Sequence, residues 1–140
     1  MVNGQHGGRA DVELRLPADG AYVSVLRTTT AGLAARLDFP IDDIEDLRIA
    51  VGEASAMVLP EATPHSDLLC EFHLGSGELA VTVSVSTGTE VEPDLDSFAW
   101  QVLSTLATSA EATSRGDAFA VRLTMRSSLA GNPHDVGVGP

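Results

Sequence analysis

Two short stretches in which apolar and polar residues alternate, separated by a tight turn, constrain the fold of this chain most. Residues 68–74 place an apolar side chain at every second position, residues 79–85 repeat the pattern, and Gly75-Ser76-Gly77-Glu78 lies between them. Because successive side chains of a strand point to opposite faces of a sheet, this pattern predicts a β-hairpin with one face in the core. The fold must therefore cover one face of an antiparallel or mixed sheet.

The rest of the chain separates into further strands and helices. Alternation predicts strands over residues 12–16 and 119–125, and helical spacing predicts helices over residues 20–37, 42–58 and 98–107. The predicted order is β-α-α-β-β-α-β. It indicates an α+β two-layer sandwich, in which a mixed, mostly antiparallel sheet carries three helices on one face.

The length of 140 residues predicts one domain, over residues 11–126. Residues 1–10 and 127–140 are rich in Gly or Pro and are predicted to be disordered ends. No apolar run approaches the roughly 20 residues that span a bilayer, and no signal peptide is recognisable. The lone Cys70 excludes an internal disulfide and fits a cytoplasmic protein.

The net charge of the chain makes some classes of binding partner less favourable. Eight basic residues against 20 acidic ones give a net charge of −12. Such a chain repels phosphate backbones, which argues against direct binding of nucleic acid. The four histidines are scattered without the spacing of metal ligands, so no metal site is predicted.

The helix over residues 42–58, DDIEDLRIAVGEASAMV, carries the most specific motif. It resembles the first nucleotide-binding box of the anti-sigma-factor serine kinases (RsbW-like) of the GHKL ATPase superfamily, which have the Bergerat fold. Two weaker patches follow the same order as in that family: Val25-Leu26-Arg27 before Gly32, and residues 97–103 in place of a Gly-Leu-Gly-Leu box. The resemblance covers about residues 11–126.

The resemblance implies a remnant nucleotide pocket in which several positions depart from the family pattern. Glu53 matches the family's general base, but Met57 replaces the asparagine that binds magnesium, and Glu90 replaces a glycine near the phosphates. A thioether is a poor ligand for Mg²⁺, and a carboxylate repels a triphosphate. ATP and magnesium are therefore expected to bind weakly, if at all. The implied pocket positions are Glu53, Met57, Ser86, Gly88, Ser97 and Ala99.

The resemblance also implies partners. We expect a bacterial anti-sigma factor that uses the first helix, with Arg27, Val23 and Thr30 at the interface, to sequester an alternative sigma factor of the kind used in stress responses. A STAS-domain anti-anti-sigma protein would release it, and the family commonly forms homodimers. We do not expect efficient kinase activity, so Glu53 is predicted to be vestigial. Two other functions stay open: an active serine kinase that phosphorylates its antagonist, and a small-ligand sensor that uses the old nucleotide pocket.

Overall fold

The computed structural model describes residues 8–129, and the remaining parts of the two predicted disordered ends, residues 1–7 and 130–140, lie outside the described residues. Five strands and three helices form the described part of the chain. They are β1 (Val12–Pro17), α1 (Val23–Arg36), α2 (Ile41–Val58), β2 (Asp67–Gly75), β3 (Glu78–Ser86), α3 (Phe98–Leu106), β4 (Ser109–Arg115) and β5 (Ala118–Arg126).

The strands form one sheet in the order β1-β2-β3-β5-β4, and every neighbouring pair is antiparallel. The predicted hairpin is confirmed as β2 and β3, with Val83 opposite Cys70 on one side and opposite Val121 on the other. Gly77 closes its turn with a φ of 68°, a conformation that glycine adopts without strain. The described sheet is therefore antiparallel throughout and not mixed.

Strand β4 is absent from the predicted order. Its sequence, SAEATSR, contains no large apolar residue, so its burial alternates while its hydrophobicity hardly does. Ala110 and Ala112 are the half-buried side chains that pack against the core. Pairing with β5 forms the strand, and side-chain pattern alone does not reveal such a contact.

The helices cover one face of the sheet, with α2 lying on β3 and β5 and with α1 and α3 on either side of it. The predicted helix over residues 42–58 is confirmed as α2, and its apolar stripe of Leu47, Val51, Ala54 and Val58 is fully buried. Burial of a leucine or valine side chain stabilises a fold by about 1.5–3 kcal/mol, so this stripe anchors the helix layer. Asp42 and Asp43 lie in the first turn, where they interact favourably with the helix dipole.

Helix α1 begins later than predicted, because residues 20–22 form a 3₁₀ turn capped by the Asp19 side chain. Its threonine run is compatible with a helix because Thr30 Oγ1 donates to the Leu26 carbonyl at 2.8 Å. The helix ends at Arg36, and Asp38, two residues later, has a φ of 63°. The Phe39 amide then donates to the Ala34 carbonyl, as in a Schellman motif.

Ordered contacts continue past the predicted domain end at residue 126. The Ser127 amide donates to the Gly77 carbonyl at 2.7 Å, and the Ser128 amide donates to Asp43 Oδ2 at 2.8 Å. This segment therefore packs against the hairpin turn and the start of α2. Within residues 8–129, none of the helices combines the length and the apolar character needed to cross a membrane.

Candidate functional site

The structure brings three of the six predicted pocket positions together. Met57, Ser97 and Ala99 line a cavity of about 190 Å³ between the end of α2 and the start of α3. Three positions that the resemblance implied therefore lie on one surface. The other lining residues, which the sequence interpretation had not placed there, are Ala56, Glu61, Val91, Glu92, Asp94 and Phe119.

The loop before α3 is held in place by its own polar groups. Ser97 caps α3, with its Oγ accepting from the Trp100 amide at 3.1 Å. Asp94 Oδ1 accepts from the Asp96 amide at 3.0 Å. Further back, the Val91 amide donates to Ser114 Oγ on β4 at 2.9 Å. These bonds fix the loop that closes the cavity.

The chemistry of the cavity does not fit a magnesium–nucleotide complex. Glu61, Glu92 and Asp94 contribute three carboxyl groups to its lining, and the lining contains no basic side chain. A lining with three carboxyl groups and no basic side chain repels phosphates. Met57 offers only a thioether, whereas Mg²⁺ requires oxygen ligands in octahedral geometry. In the part of the chain that the structure describes, no group of three or more His, Cys, Asp or Glu side chains is arranged to hold a metal ion.

The two positions assigned to the strand-end loop lie outside the cavity, which corrects the sequence interpretation. Ser86 lines a different pocket, with Arg15 and Asp67. The reason is the alternation of β3, which directs Val85 into the core and Ser86 to the opposite face. Gly88 is exposed, and a Cβ there would contact nothing within 4 Å.

Thr87, two residues after the buried Val85, is also buried, and the sequence interpretation did not predict this. It is 4% exposed, its amide donates to the Asp117 carbonyl at 2.7 Å, and its hydroxyl donates to the Thr89 carbonyl at 2.6 Å. The alternation of valines in β3 was the signal that could have identified it.

Glu53 lies apart from the cavity residues on the loop and α3. It lines an open groove of about 310 Å³ together with Arg27, Glu45, Arg48 and Ile49. Met57 follows Glu53 by one helical turn, so the two are neighbours on α2, yet they line different surfaces. Glu53 thus shares its groove with Arg27, the predicted partner-binding residue.

Arg27 lies against the backbone of α2. A Cβ added to Gly52 would stand 2.7 Å from Arg27 Nη2 and 2.9 Å from its Nε, so the absence of a side chain at residue 52 makes room for the guanidinium. Among residues 8–129, Arg27 forms no salt bridge. No carboxylate of the described residues therefore lies within 4.0 Å of its guanidinium nitrogens, although Glu45 and Glu53 line the same groove.

Two predicted interface residues of α1 face the core and not a partner, which corrects that assignment. Val23 is 8% exposed, and Thr30 is fully buried with its hydroxyl bonded inside the helix. They fall on the buried side of α1 with Leu26. Val25, which is 42% exposed, lies on the surface instead.

Comparisons with known proteins give partial sequence similarity and a wider likeness in fold. No protein-family model matches the chain. Over 51 residues it is 43% identical to the serine-protein kinases RsbW of Bacillus thuringiensis (strain Al Hakam) and Bacillus cereus (strain B4264). That stretch is 36% of this chain and 32% of each relative, so the chain matches about a third of their length.

Two solved structures share the fold. The RsbU and RsbW domains of a Mycobacterium tuberculosis protein align with a TM-score of 0.62 and 14% identity, over 83% of this chain and 32% of that one. A histidine kinase domain of a blue-light activated histidine kinase of Erythrobacter litoralis aligns with a TM-score of 0.56 and 16% identity, over 81% of this chain and 62% of that one. The chain thus has a histidine-kinase-like ATPase fold, and over 51 residues its sequence is similar to that of RsbW serine-protein kinases.

Proposed function

We propose that this protein is an anti-sigma factor that sequesters an alternative sigma factor of RNA polymerase and that lacks efficient kinase activity. The observation that carries the proposal is Arg27, whose guanidinium lies on Gly52 beside an open groove and forms no salt bridge with residues 8–129. Arginine is enriched at interface hot spots because its planar group binds carboxylates through two parallel hydrogen bonds. The similarity to RsbW supports the class of partner.

The mechanism follows from the surface around that groove. Arg27 would bind an acidic group of the sigma factor, while Ile49, which is 47% exposed, would supply apolar contact at the same place. A bound sigma factor would then be unavailable to the polymerase core. A STAS-domain antagonist that binds the overlapping surface would release it, and a homodimer would present two such surfaces.

The test is the affinity of purified sigma factors of the source genome for wild-type protein and for an Arg27→Glu variant, measured by calorimetry. We expect the reversed charge to weaken binding by about 100-fold, as at strong interface hot spots. Arg36→Glu, at an exposed position in the last turn of the same helix, is the matched control and should retain affinity. Equal affinity of wild type and Arg27→Glu would refute the interface, and a wild type that binds no sigma factor would refute the function.

The second candidate is an active serine kinase, which the names of the relatives and the presence of Glu53 favour. Calorimetric titration with ATP and Mg²⁺, repeated without the metal, separates the two functions. We expect no heat from the wild type, and none from Met57→Asn, because the acidic lining remains after that substitution. Magnesium-dependent binding at micromolar ATP by the wild type would instead favour the kinase.

A further inference from the structure

The surface beside the cavity exposes two large apolar side chains. Phe98 is 76% exposed and Leu95 is 52% exposed. Phe98 stands in the first turn of α3, between Ser97 and Ala99, which both line the cavity. Leu95 follows Asp94, another lining residue. Complete burial of such side chains is favourable by about 1.5–3 kcal/mol each, so they form an apolar rim that a partner could cover.

Acidic residues alternate along the same loop. Glu90, Glu92, Asp94 and Asp96 are all exposed, and none of them forms a salt bridge with the described residues. Asp94 uses one oxygen to accept from the Asp96 amide, and Glu92 and Asp94 also face the cavity with Glu61. The lining of the cavity and the loop beside it are therefore both negatively charged.

The size of the cavity limits what can enter it. Its volume of about 190 Å³ is below the roughly 300–1,000 Å³ of pockets that hold drug-sized ligands. Apolar side chains, Met57, Val91 and Phe119, contribute to its walls beside the carboxyl groups. An arginine or lysine side chain has the matching chemistry, because it combines an apolar stem with a cationic head.

We propose that this cavity and its rim dock a basic segment of a partner protein. One arginine or lysine side chain enters the cavity, whose lining carries the carboxyl groups of Glu61, Glu92 and Asp94, while an apolar neighbour on the same segment covers Phe98 and Leu95. Charge complementarity identifies this occupant, since the lining holds carboxyl groups and no basic side chain. The site shares no lining residue with the Arg27 groove, so it does not require the partner to be a sigma factor.

The methionines provide a direct test in the intact protein. Met57 is half-buried in the cavity wall, whereas Met125 on β5 is 5% exposed and serves as an internal reference. Protein labelled with ¹³C at the methionine methyl groups is titrated with the peptide acetyl-RLRRLR-amide and followed by NMR. We expect the Met57 signal to shift while the Met125 signal does not. The shift should largely disappear in about 1 M salt, where the Debye length is about 3 Å.

Variants and control ligands make the result decisive. The double variant Glu92→Gln/Asp94→Asn keeps size and the Asp94 acceptor oxygen, and it should bind the peptide about fivefold more weakly. Phe98→Ser should also weaken binding, whereas Val25→Ser, at an exposed site on α1, should not. An unmoved Met57 signal, an equal response to acetyl-ELEELE-amide, or a response to Mg·ATP would overturn the proposal. Each of these results would leave the Arg27 test of sigma binding unaffected.

Discussion

Replacement of Gly52 by alanine should make the protein more stable and a poorer binder. Gly52 lies in the interior of α2, where glycine is about 1 kcal/mol less favourable than alanine. The new methyl group would stand 2.7 Å from Arg27 Nη2, too close for the present arrangement. The atoms in the way belong to the far end of a flexible side chain, so a rotation of Arg27 relieves the overlap at small cost.

The net gain in the free energy of unfolding is therefore about 0.5–1 kcal/mol, or about 2–5 °C in Tm for a domain of this size. Urea denaturation and thermal melting measure it. Sigma-factor affinity should fall by about tenfold in the same variant, because the guanidinium leaves the position that Gly52 makes available. Stability and binding should thus change in opposite directions.

Gly32→Ala on α1 is the matched control. Gly32 also lies inside a helix, but a Cβ there would contact nothing within 4 Å. It should give a similar gain in stability and no loss of affinity. The reasoning fails if Gly52→Ala destabilises the fold, since backbone and not side-chain atoms would then oppose the methyl group. It also fails if both variants bind sigma factor equally well.

Two further predictions concern the core. Burial raises the pKa of the Cys70 thiol from 9.0 to about 12, so above about pH 9 only the unfolded chain loses this proton. The free energy of unfolding should then fall by about 1.4 kcal/mol per pH unit up to about pH 12, and urea titrations at pH 8 and pH 10 should show this added loss in wild type but not in Cys70→Ala. Leu103→Ala should cost about 2–5 kcal/mol in thermal or urea unfolding, because Leu103 is fully buried on α3. Phe98→Ser on the same helix should change stability by no more than about 0.5 kcal/mol, because the ring is already in solvent.

The predictable parts of the fold are the elements with one buried face, because their apolar residues then recur at the regular spacing of a strand or a helix. The β2–β3 hairpin alternates valines and leucines with polar residues, and α2 repeats apolar residues at helical spacing, so both appear directly in the sequence. Strand β4 packs only two half-buried alanines against the core, and its pairing with β5 is set by a partner strand and not by its own apolar pattern. The sequence could therefore identify the sandwich but not complete its sheet.

The relative positions of candidate site residues are easier to predict along a helix than along a loop. Glu53 and Met57 lie four residues apart in α2, so helical geometry alone predicts that they are neighbours on the helix surface. At the end of β3, counting from Gly88 placed Ser86 in the pocket, although the strand directs Val85 and then Thr87 inward. Arg27 of α1 lies against Gly52 of α2, and the sequence around neither residue predicts this contact between helices.

Helix α2 shows how a chain with this ATPase fold can carry a cavity with an acidic lining. The side chains that hold the helix in the core, such as Leu47 and Val51, are fully buried and lie on one stripe. Met57 and Ala99, which depart from the nucleotide-binding pattern, are half-exposed and face the cavity. Met57 also packs against the core with part of its side chain, but the fully buried residues of the stripe are not those that line the cavity. The packing that holds the helix in the fold therefore rests mainly on other residues than those that would hold a nucleotide. The fold here fixes the location of the cavity, and Glu61, Glu92 and Asp94 give its lining a negative charge.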